Sequence, residues 1–364
     1  MKKFLLTLAG IAIIHDAIAC TAINIQAKDG SVVAGRTMEW AYNNMEWTML
    51  FYPKNSTYYL SAPDSSTNPK IKMNSKYAVL AIGSQLAADA LVEGQNSAGL
   101  AVSGNFLPGF SQYQTVTKDD KHYVSVVEFI RFILSNYGSV TETKANLPQY
   151  KVWLPNLTGS PAQATMHFMI TDKTGNDIVI EFVNGQMKIY DKTPGVLTNS
   201  PTYDWHLTNI RNYINLSNEA VSQRATATLG DITNVSQGGG GIGLPGDYMS
   251  PSRFVRAAFL KSYSDKPANE QEAVTLTTHI LDTVDIPKGA VSSKGADGKI
   301  YSDTTQWVTI KDLTNNVWYF SDYDHRGTFV KIDITKLNNQ SKAFAMPLDK
   351  IQYPVNDITT SLMK

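Results

Sequence analysis

Apolar and polar residues alternate along most of the chain, which predicts short β-strands, and a few segments show the helical spacing of three to four residues. The segments predicted as strands are CTAINIQ, SVVAGRTMEW, WTMLFYP, YAVLAIG, GLAVSGNF, MHFMITD, DIVIEFV, QMKIYD, TQWVTIKDL, NVWYFSD and TFVKIDI. The segments predicted as helices are HYVSVVEFIRFILSNYG, DWHLTNIRNYI, SPSRFVRAAFLKSY and NEQEAVTLTTHILDTV. Because strands and helices come in separate runs, the order predicts α+β layers with mainly antiparallel sheets rather than a βαβ array.

Turn and capping residues support several of these boundaries. The turn signal at positions 28–30 (Lys-Asp-Gly) predicts that the first two strands form a hairpin. Gly138 is expected to end the first helix. Ser250 is expected to cap the SPSRFVRAAFLKSY helix, with Pro251 at its first helical position. The glycine-rich stretch at 238–246 is interpreted as a loop within one domain.

The N-terminus has the pattern of a secretory signal peptide. Lys2 and Lys3 precede an apolar run over positions 4–14, and Ala17 and Ala19 occupy the −3 and −1 positions before Cys20. This run is shorter than the ~20 residues that a membrane span needs, and a buried N-terminal helix is the alternative. We therefore expect a signal peptide at 1–19, a single domain at 20–364, no membrane span and a periplasmic or secreted mature chain.

Composition and charge narrow the classes of partner. The chain has 364 residues and is 43% hydrophobic, which is enough for a large core, and its 32 basic residues equal its 32 acidic ones. This balance leaves no excess of basic residues that would indicate binding to nucleic acid. The six histidines show no ligand spacing, so we expect no metal and no cofactor. The stretch at 241–246 matches G-x-G-x-x-G, but no strand clearly precedes it, which argues against a dinucleotide site.

Cys20, the single cysteine of the chain, allows three interpretations. It could be an ordinary apolar residue, a lipid attachment point on an anchored binding protein, or a nucleophile exposed by cleavage. Lipidated sites usually carry Leu at −3, where this chain has Ala17. Cleavage would free an α-amine, which titrates near about 7.7–8.0 in model peptides and could accept the thiol proton without help from a histidine.

Four segments, in this order, resemble the choloylglycine hydrolase family, which includes bile salt hydrolases and penicillin V acylases. They are CTAINIQAKDGSVVAGRTMEW, GLAVSGNFLPG, GVLTNSPTYDWH and GLPGDYMSPSRFVRAAF, and they extend from Cys20 to about Phe259. The resemblance implies the N-terminal nucleophile hydrolase fold, a four-layer αββα sandwich with two antiparallel sheets. It also implies a small-molecule acyl amide as substrate and, as in many members, a homotetramer.

The resemblance also implies roles for six residues, which are Cys20, Arg36, Glu39, Asn105, Asn199 and Arg253. Cys20 would attack an amide carbonyl, and Arg36 would favour its thiolate. Glu39 stands where the family commonly has Asp and would hold the α-amine. The two asparagines would donate to the oxyanion, Asn105 through its backbone or its side chain, and Arg253 would complete the polar cluster.

The reaction implied is amide hydrolysis through a thioester on Cys20, whereas the substrate is left open. Secretion together with Glu39 resembles the Gram-negative branch, which favours penicillin V first, an N-acyl-homoserine lactone second and a conjugated bile salt third. Apolar residues after Arg36 are candidates for an acyl pocket or, equally, for strand core: Met38, Trp40, Tyr42 and Trp47. If Trp40 lines the pocket, alanine there should raise KM for a bulky acyl amide and spare the fold.

Overall fold

A computed structural model describes residues 19–41, 45–63, 67–85, 90–156, 164–295 and 298–363. The predicted signal peptide up to residue 18 and the candidate pocket residue Tyr42 lie outside the described residues. Among the described residues, no helix is both long and apolar enough to cross a membrane.

The strands and helices have the following bounds. In chain order the strands are β1 (Cys20–Gln26), β2 (Val32–Trp40), β3 (Trp47–Tyr52), β4 (Thr57–Leu60), β5 (Ile71–Asn74), β6 (Val79–Ser84), β7 (Leu91–Asn96), β8 (Leu100–Phe106), β9 (Tyr123–Ser125), β10 (Lys151–Trp153), β11 (Met166–Asp172), β12 (Asp177–Val183), β13 (Gln186–Tyr190), β14 (Val196–Leu197), β15 (Gln223–Thr226), β16 (Gly230–Thr233), β17 (Val291–Lys294), β18 (Ile300–Asp312), β19 (Val317–Asp322), β20 (Val330–Asp333) and β21 (Phe344–Pro347). The helices are α1 (Phe129–Asn136), α2 (Val140–Asn146), α3 (Tyr203–Asn209), α4 (Ser250–Tyr263), α5 (Glu270–Asp282) and α6 (Thr359–Leu362).

Two large antiparallel sheets form the centre of the protein. Sheet 1 has seven strands in the order β14-β1-β2-β18-β19-β20, with β17 beside β18. Sheet 2 has eight strands in the order β13-β12-β11-β8-β7-β6-β3-β21. A cluster of buried apolar side chains joins the two sheets, and it includes Cys20 and Met38 of sheet 1. The start of the predicted mature chain therefore lies inside the sandwich.

Helices cover the outer face of each sheet. Helix α5 packs so closely on sheet 1 that a Cβ atom at Gly35 would lie 2.4 Å from Cγ2 of Thr277. Helix α1 packs on sheet 2 in the same way, because a Cβ atom at Gly94 would lie 2.5 Å from Cδ1 of Leu134. Glycine in these two strands is what lets the layers approach. The arrangement is the predicted α+β sandwich with layers α, β, β and α.

Most predicted elements are present, and the predicted hairpin of β1 and β2 is confirmed. Cys20 pairs with Met38, and Gln26 at the other end of β1 pairs with Val32. The meander of β11, β12 and β13 is also confirmed. The strands that were not predicted are short or weakly alternating: β4, β5, β7, β9, β10, β14, β15, β16, β17 and β21.

Two local predictions were wrong. The first helix covers only Phe129–Asn136, because residues 123–125 pair in parallel with β10 and leave the helical path. Ser250 is the first residue of α4 rather than its cap, and Met249 occupies the cap position without a side-chain bond. The Ser250 hydroxyl instead accepts a hydrogen bond from the backbone nitrogen of Asn199 at 2.9 Å. A tertiary contact thus replaces the expected local cap.

Candidate active site

The hairpin of β1 and β2 brings Cys20, Arg36 and Met38 together on the inner face of sheet 1. Side chains of directly opposed residues share a face, and so do residues two apart on one strand. The Sγ atom of Cys20 lies 3.8 Å from Sδ of Met38 and accepts a hydrogen bond from Nη2 of Arg36 at 3.4 Å. All three side chains are buried. The predicted nucleophile therefore faces a fixed positive charge.

Arg36 is held by groups of sheet 2. Its Nη2 donates to the carbonyl of Gly104 at 2.8 Å, and its Nη1 donates to the carbonyl of Val92 at 3.3 Å. Its guanidinium lies 5.2 Å from the ring centre of Trp307, within the range of a cation–π contact. Because backbone groups set these distances, the position of the charge at Cys20 depends on how the two sheets stack.

Asn105 uses its whole side-chain amide within the protein. Its Nδ2 donates to the carbonyls of Leu197 at 3.2 Å and Thr198 at 2.8 Å, and its Oδ1 accepts from Nε of Arg36 at 3.2 Å. Both amide hydrogens are thus engaged, since an NH₂ group has two donors. Asn105 also pairs with His167 in the ladder of β8 and β11, so its predicted donation to an oxyanion stays a prediction.

Asn199 lies directly beside the nitrogen of Cys20. Its Oδ1 accepts from the Cys20 nitrogen at 2.7 Å and from Nη2 of Arg253 at 2.8 Å, and its Nδ2 donates to the carbonyl of Phe106 at 3.0 Å. Two donors at the oxygen and one acceptor at the nitrogen determine the orientation of the amide. One Nδ2 hydrogen is engaged, so the predicted donation to an oxyanion would use the other.

Arg253 reaches the same residues from helix α4, on the opposite side of sheet 1. Its Nη1 donates to the carbonyl of Cys20 at 2.6 Å and to Oγ1 of Thr21 at 2.7 Å. Its Nε donates to the carbonyl of Tyr248 at 3.0 Å. The side chain is buried, so these bonds satisfy a charge that would otherwise be costly to bury. Arg253 therefore holds the backbone at the start of β1.

Glu39 lies on the face of β2 opposite to the thiol, where Oε1 accepts from the Thr305 hydroxyl at 2.8 Å. Within the described part of the chain, its Oε2 is buried without a hydrogen bond. Burial raises the pKa of Glu39 to about 7, and the charge of Arg253 opposes this rise. The backbone nitrogen of Glu39 donates to the carbonyl of Ala19 at 3.0 Å. Here the Cys20 nitrogen bonds to Asn199, so the predicted contact of Glu39 with the α-amine stays a prediction.

Several groups shift the pKa of the Cys20 thiol in opposite directions. Burial raises its pKa, the charges of Arg36 and Arg253 lower it, and the carboxylate of Glu39 raises it. The net shift is upward in this form of the chain, in which the Cys20 nitrogen still belongs to a peptide bond with Ala19. A cationic α-amine on the same residue would add a charge of the sign that favours a thiolate.

The candidate pocket residues differ in their surroundings. Trp40 is 1% exposed and its ring lies 4.6 Å from that of Phe106, so it belongs to the core. Alanine at Trp40 would leave a cavity, so we now expect this change to lower stability rather than to spare the fold. Trp47 is partly exposed, donates from Nε1 to Oε1 of Gln306 at 2.5 Å and borders a cleft of about 410 Å³.

Sequence reasoning missed several residues that support the site. The Nε2 atom of His206 donates to the carbonyl of Asn199 at 2.9 Å, and burial lowers the pKa of this histidine to about 4. Glu93 and Lys311 form a buried ion pair behind Arg36. A charged residue within an apolar strand was the available signal for both members of that pair, but it does not reveal which charges meet.

Comparisons with known proteins identify the family to which the chain belongs. The family model described as linear amide C–N hydrolases, choloylglycine hydrolase family, matches residues 20–344. A bile salt hydrolase/transferase of Clostridium perfringens is 32% identical over 324 residues, which cover 88% of this chain and 93% of that relative. A penicillin V acylase of Pectobacterium atrosepticum is 25% identical over 324 residues, which cover 84% and 78%.

A solved structure shows the same architecture. The crystal structure of a variant of conjugated bile acid hydrolase from Clostridium perfringens superposes with a TM-score of 0.80 at 28% identity. The superposition covers 93% of this chain and all of the other chain. The match to the family begins at Cys20, the residue around which the polar groups described above are arranged.

Proposed function

The chain belongs to the linear amide C–N hydrolases of the choloylglycine hydrolase family, and we propose that its active form begins at Cys20 and cleaves acyl amides through a thioester on that residue. One observation carries this proposal. The Sγ atom of Cys20 lies against Nη2 of Arg36, while its nitrogen lies against Oδ1 of Asn199. Nucleophile and base would thus sit on one residue, each held by its own partner.

The proposed reaction has two halves. The thiol proton passes to the α-amine as sulfur attacks the amide carbonyl, and the amide N–H donors near Asn105 and Asn199 stabilise the oxyanion. The amine product leaves with a proton returned by the α-ammonium, and the acyl group remains on sulfur. Water then attacks the thioester with the same amine as base, which releases the acid and restores the thiol. Arg36 favours the thiolate throughout.

Removal of the residues before Cys20 would change the surroundings of Glu39. Ala19 is 6% exposed, and its carbonyl accepts the backbone hydrogen bond of Glu39. Cleavage would remove this carbonyl and create a basic amine one residue away, near a buried carboxylate whose Oε2 has no hydrogen bond in the described residues. A charged amine there would compensate the carboxylate, which supports the proposed role of Glu39 despite its extra methylene.

For the substrate, we propose a conjugated bile salt as the first amide to test. The supporting observation is the 32% identity with a bile salt hydrolase/transferase over 93% of that relative. Penicillin V, which the sequence placed first, becomes the second candidate, supported by the penicillin V acylase relative at 25% identity. An N-acyl-homoserine lactone is the third candidate.

The test uses the full chain expressed in a bacterium, with Cys20→Ala as the matched control. Release of free amine is measured from glycocholate, penicillin V and a long-chain N-acyl-homoserine lactone. Turnover that disappears in Cys20→Ala supports the nucleophile, and the preferred amide identifies the substrate class. No turnover of any of the three, together with a mature mass that carries lipid on Cys20, would leave a lipid-anchored binding protein instead.

Location and assembly are proposed alongside the activity. The charged and apolar pattern of the first 19 residues supports export to the periplasm or the medium. Cell fractionation and the intact mass of the purified protein test this, and a mass that retains residue 19 would contradict it. A homotetramer is proposed from the family resemblance, and the exposed apolar residues around β15 and β16 supply a surface for it.

A further inference from the structure

A group of buried polar side chains lies behind Arg36, between the two sheets, and takes no part in the reaction described above. It consists of Glu93 on β7, Ser103 on β8 and Lys311 on β18. The Oε1 atom of Glu93 accepts hydrogen bonds from the Lys311 ammonium and, at 3.2 Å, from the Ser103 hydroxyl. Its Oε2 lies 3.7 Å from Nε of Arg36. Glu93 is therefore shared between two cations.

The charges in this cluster do not balance by themselves. The side chains of Arg36, Glu93 and Lys311 are all fully buried. Two cations and one carboxylate leave an excess of positive charge in the interior, which is unfavourable. Burial and the charge of Arg36 accordingly lower the pKa of Lys311 well below its usual value. A thiolate at Cys20 would add a negative charge beside Arg36 and offset part of this excess.

The same contacts link Glu93 to the geometry at sulfur. Nη2 of Arg36 reaches Cys20, while Nε of the same guanidinium faces Glu93 and Asn105. The guanidinium is rigid and planar, so a group that attracts one of its nitrogens affects where the others point. Glu93 thus acts on Cys20 through Arg36 and not by contact with the substrate.

We propose that Glu93 is a positioning residue for the reaction: by sharing its carboxylate between Arg36 and Lys311, it sets how much of the Arg36 charge is available to the Cys20 thiolate. The proposal rests on the proposed function, because it takes Cys20 as the nucleophile. Loss of the Glu93 charge leaves Arg36 unopposed, so the thiol ionises at a lower pH. Loss of Lys311 leaves Glu93 opposed by Arg36 alone, so the thiol ionises at a higher pH.

The experiment titrates the thiol directly. Because Cys20 is the single cysteine, the ultraviolet absorbance of thiolate reports one group, and Cys20→Ala supplies the blank for tyrosine ionisation. We expect Glu93→Gln to shift the titration down by about one pH unit and Lys311→Met to shift it up by a similar amount. The double variant Glu93→Gln with Lys311→Met should return close to the wild type, because it removes one charge of each sign.

A control variant distinguishes a positioning role of Glu93 from a purely structural one, and turnover of the wild type tests the proposed function separately. Ser103→Ala, which disturbs the cluster without changing its charge, should leave the titration in place. The proposal would be overturned if Glu93→Gln and Lys311→Met leave the titration of the Cys20 thiol unchanged, or if Ser103→Ala shifts it by as much as they do. If Glu93→Gln does not fold, Lys311→Met and the double variant carry the test. Absence of Cys20-dependent turnover in the wild type would refute the proposed function, whereas the thiol titration would still decide the role of Glu93.

Discussion

The backbone nitrogen of Cys20 donates a hydrogen bond to Oδ1 of Asn199 at 2.7 Å, across 179 positions of sequence. Asn199 is itself fixed through its own backbone, because its nitrogen donates to the Ser250 hydroxyl and its carbonyl accepts from His206. The position of the future α-amine is therefore determined by the segment after β14 and by helix α4 as much as by the first hairpin.

Asn199 should serve catalysis and stability through different atoms. Asn199→Ala removes the acceptor for the Cys20 nitrogen and for Arg253, so we expect a loss of about 1–3 kcal/mol in the free energy of unfolding and a fall in kcat of about 10²–10³-fold. Asn199→Asp keeps an acceptor beside Arg253 but loses Nδ2. It should therefore keep most of the stability and show a fall in kcat similar to that of Asn199→Ala. Urea unfolding and steady-state kinetics measure both. Near wild-type kcat in Asn199→Asp would show that the oxyanion does not depend on this amide.

The ionisation of Glu39 should make the uncleaved chain less stable at high pH. Burial raises its pKa from 4.5 to about 7, so the protonated form stabilises the fold fully below the unfolded pKa, and this contribution is lost as the pH rises through about 7. In a Cys20→Ala chain that keeps the residues before Ala19, Glu39→Gln should raise the free energy of unfolding at about pH 8 by up to about 3 kcal/mol and change it little at about pH 4. A pH-independent difference in urea unfolding would contradict this origin.

In the cleaved chain the new α-amine supplies a positive partner for the Glu39 carboxylate, so the charged form of Glu39 should be favourable there. We expect Glu39→Gln to lower kcat, since the amine loses its carboxylate. Glu39→Asp is the matched control, because it keeps the charge and restores the residue that the family commonly has at this position. The pH profile of kcat/KM measures the outcome. Equal activity in Glu39→Gln and the wild type would remove Glu39 from the site.

Trp40 and Trp47 should respond differently to alanine. Trp40 is buried against Phe106, so Trp40→Ala should lower the free energy of unfolding by about 3–5 kcal/mol. Trp47 is partly exposed beside a cleft, so Trp47→Ala should cost less stability and should raise KM for a bulky acyl amide if this cleft receives the acyl group. Thermal unfolding and KM for glycocholate and penicillin V separate the two effects. An unchanged KM in Trp47→Ala removes Trp47 from the substrate pocket.

The hairpin of β15 and β16 should contribute to assembly. The segment that contains it carries large apolar side chains in full contact with solvent, of which Leu229 is 74% and Ile242 is 85% exposed. Burial of such side chains against other copies is favourable by ~25 cal/mol per Å² of apolar surface. We expect Leu229→Asp with Ile242→Asp to convert the proposed tetramer to smaller species, as measured by light scattering. A monomeric wild type would contradict the proposal, and an exposed polar pair such as Gln223→Ala with Thr233→Ala serves as the control.

The sequence predicted those parts of the site that depend on local structure. Cys20, Arg36 and Glu39 lie on one hairpin, whose alternation and turn were visible in the sequence, so their relative faces follow from strand geometry. The length of the first helix was not predictable in this way, because the pairing of residues 123–125 with β10 depends on a strand that lies far along the chain. The role of Ser250 was missed for the same reason.

By itself, the sequence determined the class of fold, the hairpin that begins at Cys20, and the order of the motifs that place the chain in its family. These features depend on local alternation, turn residues and the identity of a few side chains. Only the tertiary structure decided that the Cys20 nitrogen meets Asn199, that Trp40 is core, and that Arg36 shares Glu93 with Lys311. Each of these depends on the stacking of two sheets, which brings together residues whose separation along the chain carries no information about their distance in space.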